Sequence, residues 1–214
     1  MSNSALIIGA GPAGLMAAER LLAQGAQVQI FDAKPSIGRK FLMAGKSGLN
    51  LTKNEPLAIF QNQYYGASAQ LAPMLNDFGP ADVMRWANAL GADVFSGSSG
   101  RVFPKAMKAS PLLRAWLVRL QDAGAELRVK SRWKTLSKDG CFGFETPSGP
   151  AQITPDVAVL ALGGGSWKKL GSDGQWVDIL AQHGVLSAPF KPSNAALQVA
   201  WSTYMQKLYG QPIK

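Results

Sequence analysis

The sequence has one cysteine, Cys141, and one histidine, His183, in 214 residues. A lone cysteine excludes an intrachain disulfide framework and any zinc cage built from thiolates, and it suits a reducing compartment, so a cytoplasmic location is expected. A lone histidine removes His-cluster metal sites and argues against a Ser-His-Asp hydrolase, since His183, next to Gly184 at the end of a helical pattern, reads as a residue of that last turn. No metal site is expected. No apolar run comes near the roughly 20 residues of a membrane-spanning helix, the most apolar stretches being residues 5–8, 15–18 and 157–162. A chain that works in water, without a membrane partner, is the expectation. The start also lacks the marks of a secretory leader: Met1-Ser-Asn-Ser carries no Lys or Arg, and Gly9, Gly11, Pro12 and Gly14 interrupt the apolar stretch behind it.

Acidic residues are scarce, 13 against 22 basic ones, for a net charge of +9. The excess is local: residues 101–138 carry +8, residues 1–100 carry +1, and residues 139–214 are neutral. Its bearers are Arg101, Lys105, Lys108, Arg114, Arg119, Arg128, Lys130, Arg132, Lys134 and Lys138, set against Asp122 and Glu126. Such a segment either attracts phosphates or nucleic acid, or is a solvated helix face and strand edge. What the chain does have is apolar material: at 47% hydrophobic residues it can bury a core, which excludes general disorder and fits one large domain or two small ones.

The pattern along the chain begins with a buried strand over residues 4–8 that stops at a glycine. Leu15, Ala18, Leu21 and Leu22 then recur at helical spacing up to Gly25, and Gln27-Val-Gln-Ile-Phe-Asp alternates as a second strand ending on Asp32. Strand, glycine turn, helix, strand and acid within about thirty residues make a βαβ unit. Residues 33–53, rich in Gly, Lys and Ser, read as a long irregular segment, and loops of that length inside domains are usually functional. Helical patterns follow at 56–63, 67–77 and 80–90, the last opened by Pro80 and closed by Gly91, and another starts at Ser110-Pro111 with the stripe Leu112, Leu113, Trp116, Leu117, Leu120 before Gly124. Strand-like runs at 127–133, 142–145 and 151–153, divided by turn residues, predict a small antiparallel meander. A buried strand at 157–162 ends in Gly163-Gly-Gly-Ser, a helix is expected near 174–183, and the pattern changes at Pro189 and Pro192.

Gly9-Ala10-Gly11-Pro12-Ala13-Gly14 matches the dinucleotide fingerprint G-x-G-x-x-G, and its context supports it: a strand before, a helix after, and Asp32 at the end of the next strand. Gly9 permits the tight turn, Gly11 lets backbone approach a pyrophosphate, and Gly14 lets helix and strand pack closely. The helix N-terminus offers free N–H groups to the anion, and Asp32 would accept hydrogen bonds from the adenosine ribose. Gly45-Lys46-Ser47 ends like a phosphate-binding P-loop, but the first glycine of that motif would have to be residue 40, which is Lys40.

The first βαβ unit cannot separate NAD from FAD, since both share the ADP half. The sequel, a basic glycine-rich loop, several helices, a meander and a late strand ending in Gly-Gly, resembles the flavoproteins of the glutathione-reductase superfamily. More narrowly it resembles the bacterial NAD(P)/FAD-dependent oxidoreductases once called aminoacetone-oxidase-like. Four islands carry the resemblance: Gly9–Gly14 with Asp32; Gly38-Arg39-Lys40 to Asn50-Leu51-Thr52; Gly100-Arg-Val-Phe-Pro-Lys with Lys108-Ala-Ser-Pro; and Ala161-Leu-Gly-Gly-Gly-Ser-Trp with Gly171-Ser-Asp-Gly.

The resemblance implies an α/β, Rossmann-like FAD-binding domain over residues 1–190, with a parallel sheet, helices and a small antiparallel β-meander. Residues 191–214 would start a truncated substrate domain. Family members are about twice as long and return after that domain to supply a last sheet strand, which this chain lacks, so one sheet edge should stay open. It further implies that Gly9, Ala10, Gly11, Pro12, Ala13, Gly14 and Asp32 hold the ADP moiety. Arg39, Lys40, Gly45 and Asn50 would lie along the pyrophosphate and ribityl side, Trp133 would contribute backbone near adenine, and Ala161, Leu162, Gly163 and Gly164 would pass beneath the dinucleotide. The implied activity is NAD(P)H-linked oxidation–reduction by hydride transfer through flavin N5 on an unidentified small molecule. Two alternatives stand beside it: a catalytically incomplete dinucleotide-binding fragment, and a flavin-dependent reductase of a uracil double bond in RNA, for which segment 101–138 would bind phosphates. No catalytic acid or base is assigned; Lys46 and Asn50 are the nearest loop donors. The oligomeric state has no signature in the sequence.

Overall fold

The apolar run at the start of the chain forms β1 (Ser4–Ile8), and Pro12, with its fixed φ and missing N–H, opens α1 (Pro12–Ala23), which ends before Gly25 in the left-handed region at φ +79°. β2 (Gln27–Phe31) returns parallel to β1, in a register that pairs Ser4 with Gln27 and Ile8 with Phe31. These coordinates come from a computed structural model that describes residues 3–46, 48–191 and 199–209. The expected boundary at Pro192 and half of the expected second-domain start lie outside the described residues.

After β2 come α2 (Arg39–Ala44), β3 (Thr52–Lys53), α3 (Leu57–Asn62), α4 (Ser68–Asp77) and α5 (Pro80–Ala89). Then follow β4 (Val94–Ser96), β5 (Arg101–Pro104), α6 (Ala109–Asp122), β6 (Glu126–Arg128), β7 (Arg132–Leu136), β8 (Phe142–Thr146), β9 (Gly149–Ile153), β10 (Val157–Leu160) and α7 (Trp176–Ala181). The parallel sheet has the order β10-β1-β2-β6, the meander is β7-β8-β9, and β3-β5-β4 form a second small antiparallel sheet.

Successive residues of β1 face opposite sides of the sheet, and each side has its own core. Ala5 and Ile7 join Leu15 and Ala18 of α1 and Leu113, Trp116 and Leu120 of α6. Leu6 and Ile8 join Phe31 and the meander's Trp133, Phe142 and Phe144, with Ile179 and Leu180 of α7 packed alongside. The result is three layers, helices on one face of the sheet and the meander on the other, each buried Leu or Ile contributing roughly 1.5–3 kcal/mol. Among the described residues β10 forms one edge of the sheet, and it corrects the reading of a buried strand over 157–162: the strand ends at Leu160, and Val157 and Leu160 are exposed because no strand or helix covers this edge.

Three other details differ from the sequence reading. The segment 33–53 is not wholly irregular: Gly38, at φ +63°, starts α2, whose apolar Phe41 and Leu42 pack against the core. The run 127–133 is two strands, because Lys130 takes φ +54° and turns the chain; β6 completes the parallel sheet while β7 opens the meander. The β3-β5-β4 sheet was not anticipated, since its strands have only two to four residues, too few to show a period.

Candidate functional site

The chain leaves β1 toward β2 on one side and returns at β10 on the other, so the sheet has a switch point between the C-terminal ends of β1 and β10. Open α/β sheets bind ligands in the crevice there. Gly9 lies at this point with φ +107°, and a Cβ on it would collide with the Ala161 carbonyl. A Cβ on Gly14 would strike the Gly9 carbonyl oxygen and stand 3.2 Å from the Ala161 Cβ. Both glycines are therefore demanded by the protein's own packing. Gly11 differs: with φ −83° and ψ −179° its backbone suits any residue, and a Cβ there would meet nothing within 4 Å. Its missing side chain keeps open a space in front of the helix.

Gly11 caps α1 without a side-chain hydrogen bond. The Leu15 N–H donates to the Gly11 carbonyl, and Pro12 has no N–H, so the Ala13 and Gly14 N–H groups face the open end of the helix without helical acceptors. Asp32 stands beside this turn: its Oδ2 accepts from the Ala10 N–H and its Oδ1 from the Lys34 N–H, both at 2.8 Å. Each oxygen keeps a further lone pair for a ligand hydroxyl. The end of β6 closes this flank, because the Asp32 N–H donates to the Arg128 carbonyl, the Ser131 N–H to the Asp32 carbonyl, and the Lys130 N–H to the Lys34 carbonyl.

The Gly38 N–H donates to the Ala10 carbonyl, which sets the first turn of α2 next to the fingerprint loop. Arg39 donates through a terminal nitrogen to Ser36 Oγ, while its buried Nε has no partner among the described residues. Lys40 reaches across to the turn after β10, with Nζ 3.4 Å from Ser166 Oγ and 3.3 Å from Ser172 Oγ. In that turn the Ala161 N–H donates to the Ile8 carbonyl, Trp176 Nε1 donates to the Gly163 carbonyl at 3.1 Å, and Ser172 Oγ donates to the Gly164 carbonyl at 2.9 Å. Leu162 packs into the core beneath the meander side.

The other residues singled out from the sequence sit elsewhere. Gly45 is tight against α6, where a Cβ would be 2.5 Å from that of Ala109. Lys46 and Asn50 are exposed, and the loop they share is tied to β5 by the Leu51 N–H, which donates to the Val102 carbonyl. Trp133 is buried under the sheet, its indole N–H donating to the Thr135 carbonyl. Thus Gly9–Gly14, Asp32, Arg39, Lys40 and residues 161–164 converge on the crevice, Gly45 and Trp133 pack in its surroundings, and Asn50 lies exposed in the loop after α2. Lys34, Ser131 and Trp176 join the crevice without having been singled out in the sequence, and Ser172, within the Gly171-Ser-Asp-Gly island, joins it through Lys40, 132 positions away.

The cations of segment 101–138 are spread over several elements: Arg101 in β5, Arg114 and Arg119 in α6, which packs on one face of the parallel sheet, Arg128 in β6, and Arg132 and Lys134 in the meander, which packs on the other. Five of them are engaged, Lys105 with Asp93, Arg119 with Glu19, Arg128 with Glu126, Arg132 with Asp173 and Lys134 with Glu145. Three carboxylates are held below their ordinary range, all away from the crevice. Hydrogen bonds from Gln29 and then Arg128 lower Glu126, the Ser137 hydroxyl and its own backbone N–H lower Asp139, and the backbone N–H and then the hydroxyl of Ser4 lower Asp156. Among the described residues no group of His, Cys, Asp and Glu could hold a metal ion, and no helix is long and apolar enough to cross a membrane.

Comparison with known proteins agrees with this geometry. The profile of the HI0933-like protein Rossmann domain matches residues 3–190. The 3-dehydro-bile acid delta(4,6)-reductase of Clostridium scindens is 29% identical over 197 residues, 90% of this chain and 47% of the reductase. This chain therefore spans about half the length of that relative. Among solved structures, THI4 of Thermovibrio ammonificans superposes with a TM-score of 0.53 at 17% identity, over 86% of this chain and 64% of that one. The 3-ketosteroid-delta4-(5alpha)-dehydrogenase of Rhodococcus jostii gives 0.54 at 14% identity, over 76% and 46%. At such identities these two likenesses speak for the fold alone.

Proposed function

This chain belongs to the HI0933-like Rossmann-domain family, and from that premise we propose that it holds FAD and serves an oxidoreductase that reduces a small molecule at the expense of NAD(P)H. The observation that carries the reading is the open space before Gly11. Gly9 and Gly14 are glycine because the protein's own backbone would collide with a Cβ, but no atom of the described residues requires Gly11 to be glycine. A pyrophosphate approaching the N–H groups at the start of α1 supplies that requirement.

The residues present fit such a dinucleotide. The start of α1 would take the pyrophosphate, and the lone pairs left on Asp32 would take the ribose hydroxyls. Arg39, with a buried Nε lacking an acceptor, and Lys40, whose partners are neutral hydroxyls, supply positive charge beside them. The glycine turn after β10, held by Ser172 and Trp176, would run beneath the middle of the molecule. FAD supplies the two-electron chemistry when bound, and the protein supplies binding and orientation. That a relative is a reductase of a bile-acid derivative supports a substrate with a conjugated double bond, and a cytoplasmic setting suits the NAD(P)H donor.

The test is the visible spectrum of the purified chain, alone and after FAD is added and excess removed. Retained flavin bands are expected. A colourless protein after reconstitution would overturn the reading of this chain as a sufficient FAD site. In a flavin-bearing sample, NADPH oxidation faster than free FAD supports sustains the enzymatic part, and its absence leaves a dinucleotide-binding domain that needs further protein for turnover.

A further inference from the structure

Ser172 is 3% exposed, one of three buried polar residues among those described, and it lies far in sequence from the fingerprint loop. Its hydroxyl has one proton and spends it on the Gly164 carbonyl, 2.9 Å away. Toward Lys40 Nζ, at 3.3 Å, it can then only accept. The direction of the chain is fixed: Lys40 ammonium to Ser172 hydroxyl to Gly164 carbonyl. Gly163 leaves room for it, since a Cβ there would come within 2.9 Å of Ser172 Oγ and φ is +70°. Trp176 takes the neighbouring Gly163 carbonyl. Two consecutive carbonyls of the turn are thus occupied from behind, while no acceptor among the described residues takes the N–H groups of Gly163 and Gly164. A turn whose acceptors are occupied and whose donors are free favours an anionic or hydrogen-bond-accepting ligand.

We propose that Ser172 is a positioning residue of the crevice: it fixes the glycine turn with its donors available and holds the Lys40 ammonium over that turn, ready for an acidic oxygen of the dinucleotide. The proposal rests on the reading of the crevice as a dinucleotide site, but its geometry exists without ligand. Lys40 has no carboxylate partner among the described residues, where the two serine hydroxyls only aim its charge. Loss of Ser172 frees both the turn and the lysine.

The experiment has two readouts on the whole chain. In the ligand-free protein, the rate at which an N-hydroxysuccinimide ester acylates each lysine is followed by mass spectrometry. In S172A, Lys40 is expected to react several-fold faster than in wild type, with Lys105, whose side chain is 68% exposed, unchanged as the control. The second readout is FAD affinity for wild type, S172A, K40M and the double variant. Each single change is expected to weaken binding about tenfold, as for loss of one charge-assisted hydrogen bond, and the double variant to be little worse than the weaker single. An unchanged Lys40 rate overturns the proposal, as does additivity of the two substitutions in a protein that binds FAD. A faster Lys40 in a protein whose wild type takes no FAD sustains the positioning role and sinks the cofactor reading, so the two failures are distinguishable.

Discussion

Replacing Gly11 by alanine separates ligand approach from protein packing, because the structure gives the new methyl group no protein neighbour within 4 Å. Two terms set its effect on the ligand-free fold. Alanine is a poorer N-cap than glycine by roughly 0.5–1 kcal/mol. Against this, a Gly→Ala change at a compatible φ removes freedom from the unfolded chain and gains about 0.4–1 kcal/mol. With φ −83° the position is compatible, so stability should stay within about 0.5 kcal/mol of wild type, about one or two degrees in Tm for a chain of this size. Ligand affinity should fall much further. A methyl standing between the helix start and a pyrophosphate breaks at least one charge-assisted hydrogen bond of about 1.5–3 kcal/mol, roughly 10- to 150-fold in Kd. Gly14→Ala is the converse. Its Cβ meets the Gly9 carbonyl and the Ala161 Cβ, two groups fixed by the sheet, and overpacking of this kind costs about 1–3 kcal/mol before any ligand is present. Thermal melts of the ligand-free variants and fluorescence titration with FAD read the two effects apart. The reasoning is refuted if Gly11→Ala binds FAD within about threefold of wild type, or if it melts as low as Gly14→Ala without ligand.

Glu19 of α1 accepts from the indole N–H groups of Trp86 and Trp116 and from Arg119, joining α1, α5 and α6. Glu19→Ala leaves those donors unpaired and should cost about 2–4 kcal/mol, read from the urea midpoint, with Glu19→Gln milder. Asp156 is held below its ordinary range by Ser4, so its contribution to stability is present above the usual carboxylate pKa and is lost as pH falls through the depressed folded value. Asp156→Asn should therefore flatten the acid limb of a Tm-against-pH profile, and an unchanged limb would count against the Ser4–Asp156 link. For RNA, ten aligned cations would give a salt slope near −7, whereas cations divided between opposite faces predict a much shallower one; a slope near the steep value in filter binding would show that one RNA reaches both faces.

The βαβ start was legible because every cue there is local. Ser4 to Ile8, Gly25 and the alternation ending on Asp32 each act within a few residues, and the structure places them as read. The pattern of residues 126–136 was less legible because one backbone angle at Lys130 decides whether there is one strand or two. A lysine in the left-handed region leaves no mark in hydrophobic periodicity. The β3-β5-β4 sheet stayed hidden for another reason: strands of two to four residues are made by their partners, as when Thr52 pairs with Val102 fifty residues away.

The same division runs through the candidate site and accounts for what a motif can and cannot reveal. Gly9, Gly11 and Gly14 are visible in sequence as one spaced motif, but the structure gives them different surroundings. Gly9 answers to Ala161 and Gly14 to Gly9, whereas Gly11 answers to no atom of the described residues. Two of the three glycines are therefore accounted for by architecture, and on the proposed function the third is left to the ligand. Ser172 is the opposite case. It falls within the Gly171-Ser-Asp-Gly island, but nothing there shows its partners: α2 brings Lys40 to it across 132 positions while the turn after β10 offers it the Gly164 carbonyl. Residues needed for backbone conformation announce themselves in sequence, since few residue types can replace them. Residues that position another group through a single hydroxyl become visible only once the fold has assembled their partners.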